Sequence, residues 1–316
     1  MAGLDDILFG ARLWVTIIFG SLNVVFLIAL LIAMRRAKSS LFRNRYYDRL
    51  TFLLSLDPFM TVCYVAMALL NFFDTIVWPE HWFFTSNMSP ITKYPYMVIH
   101  DIASGFTYAQ YLYLFFIALS LVQTVTRSPE DVTPPPLKLA YPWWQHLIVI
   151  LATPVVILTK FVDHTQVEVG DVTLFHHWFG PGLLVRTLYA LAIIAAITIC
   201  YFYSLVKMLK NRGNGGSDDY VKHIRRTFSL FTILFAVEII IMLSSLAVLT
   251  PMLIVGHAVV HSHLWNTGFA LVDIGYTFLV CWRGVFVALL HIARTAPIKR
   301  WIRDKLHKSD EDYAYF

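Results

Sequence analysis

Residues 11–36 read ARLWVTIIFGSLNVVFLIALLIAMRR, with no charged side chain between Arg12 and Arg35. An uncharged run of this kind matches the roughly 20 residues that carry an α-helix across a bilayer. Outward from it, comparable blocks lie at 50–77, 96–125, 145–162, 182–206, 227–255 and 265–291, so with 11–34 the sequence predicts seven spanning helices. Composition agrees. Of 316 residues, 58% are hydrophobic and 14% charged, against about 25% charged in an ordinary soluble domain. A water-soluble globule is thereby excluded. The residues ahead of the first block hold Asp5 and Asp6 instead of a basic leader, so the first helix is expected to be its own anchor and not a cleaved signal peptide.

Lys and Arg set the expected orientation. The segments after blocks 1, 3, 5 and 7 hold 20 of the 25 basic residues, while the opposite side has only Arg12, Lys93 and Lys160. By the positive-inside rule the N-terminus is outside and the C-terminus inside. This placement accounts for the net charge of +5 and leaves no reason to invoke nucleic acid. The outside segment 78–95 carries Trp78, Trp82 and Tyr94, rings suited to the headgroup level. It also holds the sequon Asn87-Met88-Ser89, with Pro90 directly behind, so Asn87 is the glycosylation candidate. On the inside, 211–220 is a linker by composition. After Pro297, the residues Ile298, Trp301, Ile302 and Leu306 recur at helical spacing among Lys299, Arg300, Arg303 and Lys305. That pattern predicts an amphipathic helix on the inner leaflet. The fold class is therefore all-α, a seven-transmembrane helix bundle over 1–294 followed by an amphipathic helix and short cytoplasmic tail over 295–316.

Charges inside a span are expensive, and each is a candidate for function. Asp57 and Arg283 lie at similar depth near the inner ends of helices 2 and 7, where they can pair, with Asn23 of helix 1 nearby. Two readings stand, a structural clasp and a clasp whose rearrangement switches the bundle. Asp101, Arg186 and Asp273 fall in the outer halves of helices 3, 5 and 7. They either bind a small polar ligand, with Arg186 matching a carboxylate, or bridge one another structurally. Glu238 is isolated at mid-helix 6 and is a candidate for protonation. Cys63, Cys200 and Cys281 all lie in apolar blocks and read as inert buried thiols. Histidines gather beside the outside loops. His257 and His261 share an i, i+4 face that could hold a transition metal with His176 and His177, although no acidic or cysteine ligand set fixes a geometry.

Asn23 on helix 1, Leu-Leu-Ser-Leu-Asp at 53–57 on helix 2, and Trp144 with Pro154 on helix 4 occur in the order and on the helices of the rhodopsin-like G-protein-coupled receptors. With seven spans, an outside N-terminus and an inner amphipathic helix, the chain resembles that family and is similar to its divergent nematode chemoreceptors. It departs at helix 3, which ends in Arg127-Ser128-Pro129 without Asp-Arg-Tyr. Helix 7 has Arg283-Gly284-Val285-Phe286-Val287 in place of Asn-Pro-x-x-Tyr, and no cysteine is left for an outer disulfide. The resemblance implies a plasma-membrane receptor for an extracellular small molecule, a heterotrimeric G protein as partner, and no cofactor. A transporter or channel is the alternative, with Asp57, Glu238, Asp273 and Arg283 lining a polar path. A retinal protein is excluded because block 265–291 has no lysine for a Schiff base. No nucleophile–base pair or catalytic metal motif indicates an enzyme.

Overall fold

The computed structural model describes residues 4–36, 45–77, 89–126, 143–167, 181–211, 225, 228–241 and 263–294. Asn87, His176, His177, His257, His261, the remainder of the sixth block and the C-terminal segment 295–316 lie outside the described residues, as does nearly all of the 211–220 linker. Apart from the capping Ser89, the described residues are helical, and they form seven helices: α1 Leu4–Arg36, α2 Arg45–Val77, α3 Pro90–Thr126, α4 Trp143–Val167, α5 Pro181–Asn211, α6 Phe228–Ile241 and α7 His263–Arg294. Five of them contain apolar stretches long enough to cross a membrane: Gly10–Met34, Arg49–Asp74, Ile91–Thr126, Trp143–Lys160 and Leu188–Lys210. The protein is thus a helical integral membrane protein, for in hydrocarbon a helix is one of the few structures that satisfies its own backbone.

Side-chain hydroxyls follow the same rule. Ser55 donates to the Thr51 carbonyl at 2.6 Å, Thr153 to Val149 at 2.7 Å and Thr198 to Ile194 at 2.8 Å, each one turn back on its own helix. A hydroxyl bonded to the preceding turn adds little polar surface to an apolar span. Large apolar side chains in turn cover the outside: Val25, Ile150, Leu158, Ile199 and Val206 are all more than half exposed, an arrangement stable against lipid and not against water.

Helices α1, α2 and α3 run alternately in opposite directions. On α1 and α2, Trp14 meets Phe72 while Asn23 meets Thr61; on α2 and α3, Phe59 meets Phe106 while Phe52 meets Tyr113. Helix α3 is the pillar, packed on α2, α4 and α5, and α1 lies between α2 and α7. Its buried side chains Ala109, Leu112, Ile117 and Leu121 join Leu27, Leu54, Ile197, Phe231 and Ala288 in one core. Tyr201 of α5 stacks on Phe228 and Phe235, which seats α6.

The start of α3 is capped by Ser89, whose hydroxyl accepts from the Ile91 N–H at 3.2 Å, with Pro90 in the first helical position. Such a cap contributes about 1 kcal/mol, and proline there gives up a donor that has no intrahelical partner anyway. Asp74 at the end of α2 accepts from the Ser89 N–H at 3.2 Å and from the Thr92 hydroxyl. The third residue of the sequon is therefore a buried cap that ties α2 to α3.

Candidate functional site

The candidate site is a junction of charges where α2, α3, α6 and α7 meet. Asp57, Gln110, Glu238 and Arg283 are all buried, at 1%, 1%, 8% and 5% exposure. Each sits in the interior of the bundle, away from the surface of its helix that faces outward. Pro58 follows Asp57 within α2; lacking an N–H, it leaves the Leu54 carbonyl without its usual helical donor and loosens the helix beside the carboxylate.

Arg283 is the centre. Its Nη2 donates to Asp57 Oδ1, and its Nη1 donates to Glu238 Oε2 at 3.4 Å. Gln110 Nε2 donates to the same Asp57 Oδ1. The Tyr111 ring of α3 lies within electrostatic reach of the guanidinium. One arginine thereby touches carboxylates from two other helices, and the two contacts are unequal. Three acceptor oxygens, Asp57 Oδ2, Glu238 Oε1 and Gln110 Oε1, have no hydrogen-bond partner among the described residues.

Space for Asp57 comes from Gly284. A Cβ on that glycine would fall on the Asp57 carboxylate and within 2.5 Å of Leu27 Cδ2. Close approach of backbones at small residues is a common device where helices pack without a hydrophobic drive between them. Gly105 plays the same part between α3 and α4, with Ile157 Cγ1 at 2.7 Å from where its Cβ would be.

Asn23 is set apart from the ion pair. Its Nδ2 donates to Thr61 Oγ1 at 3.1 Å, one turn along α2 from Asp57. Asp101 and Arg186 are both buried; Asp101 Oδ1 lies 3.7 Å from Nδ1 of His100 on its own helix, and Arg186 turns toward α4. Arg186 Nη1 donates to Thr159 Oγ1 at 3.4 Å, and His100, beside Asp101, lies 3.2 Å from Lys160 Nζ. Stacked at 5.8 Å, the rings of Tyr108 and Tyr189 line the same region, with Arg186 in electrostatic reach of Tyr108. Asp273 is on α7, but its side chain lies outside the described residues.

A second polar group, unnoticed in the sequence, joins α2, α3 and α4 near the Arg45 end. Arg49 Nε donates to Gln145 Oε1 at 2.9 Å, and the Tyr113 hydroxyl meets His146 Nδ1 at 2.6 Å beneath the Phe52 ring. Among the described residues no group of three His, Cys, Asp or Glu side chains could hold a metal ion. The cysteines are free, Cys281 buried and the others half-buried. No protein-family model matches the chain, and no curated protein matches it in sequence.

Proposed function

We propose that this chain is a seven-transmembrane receptor, with its N-terminus outside the plasma membrane and its C-terminus in the cytosol, that senses an extracellular small molecule and signals to a heterotrimeric G protein. The observation that carries the reading is Arg283 touching Asp57 of α2 and Glu238 of α6 at once. A static scaffold needs one partner for a buried cation. An arginine between two acceptors on different helices can redistribute its contacts, which is the bistable element a receptor requires. Because α6 is joined to the junction through the longer contact, it is the helix best placed to move.

Ligand recognition is assigned to the outer halves of α3 and α5. Arg186 offers a planar cation for a carboxylate, the Tyr108–Tyr189 stack offers an apolar wall, and Asp101 with Asp273 offers acceptors for an amine. The resemblance to rhodopsin-like receptors in Asn23, Asp57, Trp144 and Pro154 supports the same reading. The lipid bilayer and a G protein are its partners; nucleic acid is not.

A single set of cells tests it. The chain, carrying a C-terminal epitope tag, is expressed with a second-messenger readout and challenged with a panel of small organic acids, while flux and current are recorded on the same membranes. The tag is expected to bind antibody only after permeabilisation, and an acid to raise the second messenger without a current. Arg186→Gln is expected to weaken that response at least about tenfold with surface expression intact, since a hydrogen bond to a charged group contributes roughly 1.5–3 kcal/mol. A ligand-dependent current or flux without a second messenger would overturn the receptor in favour of a transporter or channel, in which the same buried charges line the path.

A further inference from the structure

The junction carries more negative charge than it can neutralise. Ionised, Asp57 and Glu238 bring two negative charges against the single positive charge of Arg283. Hydrogen-bond chemistry points the same way: on the four side chains of the junction the atoms without a partner among the described residues, Asp57 Oδ2, Glu238 Oε1 and Gln110 Oε1, are all acceptors, each on a side chain more than nine-tenths buried, while the unpartnered Trp282 Nε1 belongs to a ring packed on Phe19 and Phe26 of α1. A site with surplus charge of one sign and surplus acceptors lacks a cationic donor. One proton supplies both deficits.

The proton belongs on the carboxylate whose charge is held least. Asp57 Oδ1 receives two donors, the Arg283 guanidinium from α7 and the Gln110 amide from α3. Glu238 receives only the Arg283 Nη1 contact at 3.4 Å. The other groups around it do not compete. Tyr111 of α3 is within electrostatic reach of the guanidinium, Trp282 of α7 stacks with Phe278 and meets Phe19 of α1 edge-on, and α5 packs Tyr201 against Thr232 and Phe235, about a turn short of Glu238. Among the described residues none of these brings a second positive charge.

We propose that the junction is a proton-binding site, in which one proton resides on Glu238 while Arg283 holds Asp57, and loss of that proton fastens α6 to α7. The step balances simply: the Glu238 O–H bond breaks, the proton passes to a solvent water or, on alkalinisation, to hydroxide, where the new O–H bond forms, and the carboxylate left behind becomes a full partner for Arg283 Nη1. A charge-assisted bond is shorter and roughly twice as strong as a neutral one, so the 3.4 Å contact tightens and α6 is drawn in. The neutral form leaves α6 the looser helix. The inference rests on the junction alone, and a receptor and a transporter would both use it.

Infrared difference spectroscopy on the full chain in phosphatidylcholine nanodiscs, titrated in pH without any ligand, tests it. The expected result is a protonated-carboxyl C=O band at neutral pH that is lost on alkalinisation, absent from Glu238→Gln at every pH, and retained in Asp57→Asn. Carboxyl-¹³C glutamate in the wild-type chain is expected to shift that band to lower frequency, which keeps the assignment testable should Glu238→Gln not fold. Absence of the band, its survival in Glu238→Gln, failure to shift with labelled glutamate, or a loss that follows sodium concentration at constant pH would each overturn the proposal. Because no ligand or G protein is present, these outcomes are independent of the receptor assay.

Discussion

Arg283→Ala is expected to destabilise the protein by about 3–5 kcal/mol, the range for removing one partner of a buried ion pair. The magnitude comes less from the lost attraction than from what stays behind. Asp57 would remain at 1% exposure with only Gln110 donating to it, and a buried carboxylate without a cation either stays charged at high cost or takes up a proton. Neutralising the carboxylate as well should return part of the loss, so Asp57→Asn combined with Arg283→Gln is expected to be more stable than the two single losses sum to. Melting of the purified variants in one lipid composition measures this as a double-mutant cycle. Strict additivity would show that the two groups do not act as a pair. Glu238→Gln in the Arg283→Ala background is expected to recover less, because Glu238 is the weaker partner at 3.4 Å.

Much of this organisation was legible in the sequence because hydrocarbon imposes a coarse grammar. Length and lack of charge mark a span whatever its neighbours do, and the five long apolar helices fall on the first five blocks. Helix ends were less legible. Helix α3 begins at Pro90 and not at 96, since Ser89 and Pro90 form a cap that a search for apolar residues passes over. Asp74, at the outer edge of the second block, is a buried acceptor for that cap. At the junction, Asp57 and Arg283 stood out because each is charged. Gln110 did not, because a neutral amide in an apolar run costs less to bury and a search for charges omits it; Gly284 did not, because a missing side chain is informative only once its neighbour is known. Nor could depth alone reveal rotation about the helix axis. Asn23 is at a depth compatible with Asp57, yet it faces Thr61, and Arg186 turns to Thr159 of α4.

Gly284 therefore supplies the sharpest geometric test of the junction. In Gly284→Ala the new methyl would overlap the Asp57 carboxylate and stand 2.5 Å from Leu27 Cδ2, so something must move. Leu27 is fully buried, and Asp57 is held through Oδ1 by both Arg283 and Gln110; neither can swing aside as the tip of an exposed side chain could. Overpacking of this kind costs about 1–3 kcal/mol, and here the displaced group is also the main partner of a buried cation. The same substitution at Gly275, on the same helix, meets nothing within 4 Å, and alanine there is expected to be neutral or to stabilise by up to about 1 kcal/mol through helix propensity. The pair of variants separates helix propensity from packing, because both exchange the same residue in α7. Equal melting temperatures for the two would mean that Gly284 has no steric role. If Asp57 is what the methyl strikes, the cost of Gly284→Ala should shrink in an Asp57→Ala background, where Leu27 still obstructs it, and an undiminished cost there would move the clash from the carboxylate to α1.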